Sequence, residues 1–76
     1  MITVDTLRRC AWLDTITLEM IIRKNYPKDT VLAADFVGIS NGGQFVYNVA
    51  FPGEDGVEKA KVFVWQDNDG ELVADY

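Results

Sequence analysis

Residues 31–51 read Val-Leu-Ala-Ala-Asp-Phe-Val-Gly-Ile-Ser-Asn-Gly-Gly-Gln-Phe-Val-Tyr-Asn-Val-Ala-Phe, and two β-rich runs in that stretch flank Asn41-Gly42-Gly43. Asn-Gly between such runs signals a hairpin, because it supplies the positive φ angles of a type I′ turn whose twist matches a twisted strand pair. The second run, 44–51, alternates cleanly: Phe45, Tyr47, Val49 and Phe51 on one face, Gln44, Val46, Asn48 and Ala50 on the other. The aromatic set is the expected core face. The first run, 30–39, carries Leu32, Ala34 and Phe36 on one face and Val31, Ala33, Asp35, Val37 and Ile39 on the other. Apolar groups on both faces suggest a central strand, or one covered on both sides.

Outward from this hairpin, Pro52-Gly53-Glu54-Asp55-Gly56 reads as a turn. A third strand, 58–66, sets Ala60, Val62 and Val64 against Lys59, Lys61, Phe63 and Trp65. Both lysines make the second face at least partly wet. Asp67-Asn68-Asp69-Gly70 turns the chain into a fourth strand, 71–75, with Leu72, Ala74 and Tyr76 on one side. Upstream, residues 1–6 are a short lead. Asp5 or Thr6 is placed to cap a helix over 6–12, and Thr15 or Thr17 a second over 16–25, ended by Pro27. In the second helix Leu18, Ile21, Ile22 and Asn25 share the face that would meet the sheet. The expected fold is α+β: N-terminal helices on one face of a four-stranded antiparallel meander, as a single domain of 76 residues.

A chain this short buries only about 60% of its unfolded surface, so staples matter. The lone Cys10 excludes an internal disulfide, and with no histidine there is no zinc set. A partner or a second copy is the staple left. No basic start followed by an apolar run marks a signal peptide and no stretch is long enough to span a membrane, so a cytoplasmic location is expected. The formal charge of −5 is uneven: five basic and three acidic groups over residues 1–28, two basic and nine acidic over 29–76. An acidic half repels phosphate backbones and disfavours direct nucleic-acid binding, while it suits a basic protein partner. The same acidity would also serve solubility alone.

From Thr17 onward the chain resembles a PepSY-like domain within the broader cystatin-like architecture. The resemblance rests on a helix closing in Lys24-Asn25-Tyr26-Pro27, the aromatic strand Phe45-Val46-Tyr47-Asn48-Val49, and the strand, turn and strand from Val62 to Leu72. It implies a helix packed on a meander, and an extracytoplasmic protease-inhibitory or regulatory role. No functional residue is carried over.

Catalytic chemistry has few places to reside. Cys10 and Ser40 have no histidine to act as base, although Arg9 would favour a thiolate. Asp67-Asn68-Asp69-Gly70-Glu71 has calcium-loop composition. An EF-hand needs oxygen ligands at its first and last positions, and aligning Gly70 with the central glycine puts Trp65 and Tyr76 there. Gly42-Gly43 opens no helix and so cradles no phosphate. The chain is therefore read as non-enzymatic, with no cofactor and no metal. The second sheet face carries the functional expectation: Val37, Ile39, Val46, Phe63 and Trp65 as one apolar patch bordered by Asp35, Lys59 and Lys61, with Asp67 and Asp69 in the acidic turn beside it. Aromatic centres with polar rims mark protein interfaces. The expected occupant is a basic protein or a second copy, making the chain a small inhibitor or adaptor, a phage-type inhibitor of a nucleic-acid machine being one form of it, or a homodimer. Mimicry of nucleic acid would require carboxylates in one row. A helical lead folded over the face through Trp12, or a one-residue slip in the third strand, would remove the patch.

Overall fold

Two side-chain caps organise the N-terminal region of the computed structural model, which describes residues 3–76. The expected lead thus lies partly outside the described residues. Thr3, rather than Asp5 or Thr6, caps helix α1 (Val4–Ala11), its hydroxyl accepting from the Thr6 amide at 3.1 Å. Asp5 falls in the first turn, where the helix dipole favours a carboxylate. Asp14 caps α2 (Thr15–Ile22), accepting from the Thr17 amide at 2.7 Å. Each helix begins ahead of the expected start because the residue just upstream supplies a better-placed oxygen.

The strands are β1 (Ala33–Ile39), β2 (Phe45–Gly53), β3 (Gly56–Gln66) and β4 (Leu72–Asp75), paired antiparallel in the order β1-β2-β3-β4. The fold is the expected α+β meander. Strand β1, however, is an edge strand and not a central one. Its apolar side chains on both faces are left partly open: Phe36 packs its ring against those of Phe45 and Tyr47, at 6.1 and 5.4 Å between centroids, yet stays 42% exposed.

The β1–β2 turn also departs from the type I′ expectation. Among the described residues none other than glycine has positive φ, and Asn41 is therefore not left-handed. Gly43 takes that conformation instead, at φ 81°, its amide donating to the Ser40 carbonyl at 2.9 Å. Gly70, also at φ 81°, closes the β3–β4 turn the same way onto the Asp67 carbonyl. Both are three-residue loops ending on a left-handed glycine.

The core lies between helices and sheet. Phe45, Tyr47 and Val49 of β2 and Val62 and Val64 of β3 meet Leu18, Ile21 and Ile22 of α2 and Cys10 of α1. The buried Tyr47 hydroxyl donates to the Cys10 carbonyl and accepts from the Leu13 amide, fastening the α1–α2 connection to the sheet. Past α2, Lys24 Nζ and Asn25 Nδ2 each donate at 3.1 Å to β4, on the carbonyls of Leu72 and Ala74. Asn25 thus serves the strand by a hydrogen bond rather than by core packing. Tyr76 stacks on Phe51 and lies against Tyr26, and its hydroxyl donates to Asp29.

Candidate protein-binding face

Cross-strand partners in an antiparallel sheet share a face, so the register defines the side turned away from the helices. Beyond a terminal pair, Pro52 and the exposed Val57, four rows run across it. Ala33, Ala50 and Lys59 form the first, and Asp35, Asn48 and Lys61 the second. Gly38, Val46, Phe63 and Asp75 form the third, and Trp65 and Val73 the fourth. The charged and amide side chains Lys59, Asp35, Asn48 and Lys61 occupy the middle of the face, with Pro52 and Val57 beyond them at one end and the aromatic rows at the other, where the acidic 67–71 turn closes it. The third strand keeps the expected phase, so Phe63 and Trp65 lie on this outer face. Trp12 covers nothing: it is 77% exposed, and α1 packs on the opposite side through Cys10.

Two of the expected patch residues are corrected. The pairing jumps from Phe36↔Tyr47 to Gly38↔Val46, so Val37 is an extra, bulged residue. Gly38 absorbs the distortion at φ 157°. The bulge restarts the alternation, and Ile39 pairs with Phe45 on the helix side instead of joining the outer patch. Val37 stays at the patch margin, exposed. Val46 belongs to the patch but only 9% of it is accessible. With no second layer over it among the described residues, its in-sheet neighbours shield it, and it is the floor of the patch rather than a contact surface. Phe63 and Trp65 are half-buried and supply the contact.

Asp67 is half-buried and Asp69 exposed. Asp67 Oδ1 accepts from the amides of Asp69 and Glu71, both at 2.9 Å, which is how this run folds as a turn. The other acidic turn, at Glu54-Asp55, stands at the far end of the 11-residue β3, about 33 Å away at strand rise, with Lys59 and Lys61 between. Only the 67–71 turn borders the patch, and the carboxylates of the described residues form no single row.

Sequence reasoning missed two features. Val73 lines the patch opposite Trp65; its alternation with Leu72 and Ala74 was the available signal. Trp12, Ile16 and Met20 are strongly exposed on the helix layer. The signal was α2 itself, Thr-Ile-Thr-Leu-Glu-Met-Ile-Ile, which is apolar on both sides.

The residues weighed for chemistry have structural roles. Cys10 is buried, and burial raises its pKa against the lowering pull of Arg9. Ser40 Oγ accepts from the Gln44 amide inside the turn. Among the described residues no group of three or more His, Cys, Asp or Glu side chains is placed to hold a metal ion. None of their helices is long and apolar enough to cross a membrane. Comparison with known proteins returns no match: no family model, no curated protein and no solved structure matches the chain.

Proposed function

We propose that this chain is a non-catalytic protein-binding module, acting as an adaptor or inhibitor, that docks a basic partner on the outer sheet face through Phe63 and Trp65. The observation that carries the reading is the apolar end of that face: two half-buried aromatic side chains over a buried valine, left uncovered by the helices and closed by an acidic turn. Aromatic anchors beside a polar rim are the usual energetic centre of an interface. Glu71 is paired with Lys24, so Asp67 and Asp69 supply the field that speeds encounter with a positive surface.

The test is capture of partners on the immobilised chain, read by mass spectrometry, with Trp65→Ala and Phe63→Ala against Trp12→Ala. The two sheet variants are expected to lose the partner while remaining folded by circular dichroism, and Trp12→Ala to retain it. Equal capture by Trp65→Ala and wild type would remove the outer face from the function. A dimer that persists on dilution and is abolished by Trp65→Ala would give the face to a second copy instead.

A further inference from the structure

We infer that the partner's anchor on this face is an arginine side chain, seated against Trp65 with Asp67 as its counter-ion; the inference rests on the proposed docking face and names the chemistry of its occupant. Beside Trp65, where the ends of the strands bring the two sheet faces together, lies an open depression of about 470 Å³. Phe45 and Trp65 give it apolar wall. Gln44, Thr6, Gln66 and Asp67 give it polar atoms.

Those polar atoms are unequal. The Gln66 amide is committed, its oxygen accepting from the Thr6 hydroxyl at 3.3 Å and its nitrogen donating to the Gly70 carbonyl at 3.0 Å. Asp67 Oδ1 is committed to the turn amides. Asp67 Oδ2 and the Gln44 side chain have no hydrogen-bond partner among the described residues. The depression thus offers an aromatic ring, one carboxylate oxygen and one amide, and no cation lines it, Arg9 being held on the Gly70 carbonyl at 2.9 Å and Lys24 on Glu71 at 3.4 Å in the adjoining turn. A ligand that fits must be cationic, able to lie against an indole, and rich in donors.

Guanidinium meets all three conditions. It is planar, always charged, weakly hydrated, and carries five donors in a fixed fork. It gains from the ring face through cation–π attraction and from the carboxylate through a charge-assisted hydrogen bond. An ammonium group is compact and more strongly hydrated, and gains less from the ring. The same geometry gives a reason for the acidic turn to sit beside the aromatic residues and not elsewhere on β3.

The experiment uses the full chain carrying Trp12→Phe, so that all tryptophan emission comes from Trp65. The probe is a capped tripeptide with arginine between two leucines, titrated in parallel with its lysine counterpart. A saturable change in Trp65 emission is expected, with the arginine peptide binding about tenfold more tightly than the lysine peptide. Asp67→Asn keeps the Oδ1 acceptor that folds the turn and removes the charge; it is expected to weaken the arginine peptide about tenfold. Absence of a saturable change, equal affinity for the two peptides, or indifference to Asp67→Asn would each overturn the assignment. Failure of the docking face itself looks different. In that case Trp65→Ala leaves capture of the protein partner intact. If only the arginine assignment is wrong, Trp65→Ala abolishes capture and Asp67→Asn does not.

Discussion

Tyr47 is the residue on which the two layers depend most. Its ring is in the core and its hydroxyl meets two backbone groups that α1 and the following turn would otherwise leave unpaired, the Cys10 carbonyl and the Leu13 amide. Tyr47→Phe keeps the ring and strands a buried carbonyl and a part-buried amide. The expected cost is about 1–3 kcal/mol, read as a lower urea midpoint with an unchanged slope. Tyr76 offers a different readout. Its hydrogen bond to Asp29, with burial and nearby carboxylates adding to it, pushes its pKa up to about 12. The folded state therefore holds the phenolic proton more tightly than the unfolded chain, whose tyrosine titrates near 10. The stabilisation is complete below pH 10 and is lost as the pH rises towards 12. Tyr26 is raised in the same direction by its bond to Asp75. Tyr76→Phe is expected to flatten part of this alkaline loss in a series of urea titrations, and an unchanged alkaline limb would show that the Asp29 contact contributes nothing in solution.

At the scale of elements, the caps tie pH to the helices. Hydrogen bonds from the Thr17 side chain and amide hold the Asp14 carboxyl below its ordinary value of 3.8. The unfolded chain then binds more protons in the window below 3.8, so stability falls as the pH drops through the folded-state value. Asn caps a helix as well as Asp but does not titrate. The stability difference between wild type and Asp14→Asn is expected to be present at neutral pH and to vanish in acid; a difference constant across the series would exclude the cap as its source. Asp14 also shows where sequence reading reaches its limit. The region was legible as two short helices, because Asp14 to Thr17 interrupts one long stripe, but three neighbouring residues could have supplied the capping oxygen. Strands β2 and β3 were legible down to phase, because one face of each is dry and alternation survives. Strand β1 was not. Apolar residues on both faces mean burial only if neighbours exist on both sides, and pairing order is a non-local property. Gly38 was a visible hint of a bulge. Its consequence for Ile39, which moved a predicted contact residue to the other face, required knowing the partner strand.

Across the whole molecule, a sheet with helices on one face has two edges and one open face to protect from other copies of itself. The β4 edge is closed from within by Lys24 and Asn25, which donate to the carbonyls of Leu72 and Ala74. The β1 edge is open but poorly suited to pairing. The bulge at Val37 breaks its hydrogen-bonding repeat and Asp35 sits beside it, two devices that discourage strand addition. The open face has an apolar end only two rows deep, with Val46 already shielded and the acidic 67–71 turn at its margin. Two copies meeting there in register would bring their acidic turns and Asp75 side chains towards one another, in chains that each carry a net charge of −5. These features together favour a monomer that keeps the face free for a positively charged partner. Size exclusion with light scattering, over a concentration series at moderate salt, is expected to return the mass of one 8.5 kDa chain throughout. Trp65→Ala is expected to leave that mass unchanged and to cost about 1–3 kcal/mol in a urea titration, since a half-buried ring loses part of its packing without opening the core. A dimer that survives dilution at moderate salt would contradict the charge argument and assign the Phe63–Trp65 face to self-association. In that event the acidic turns, rather than the aromatic residues, would be the place to look for a partner.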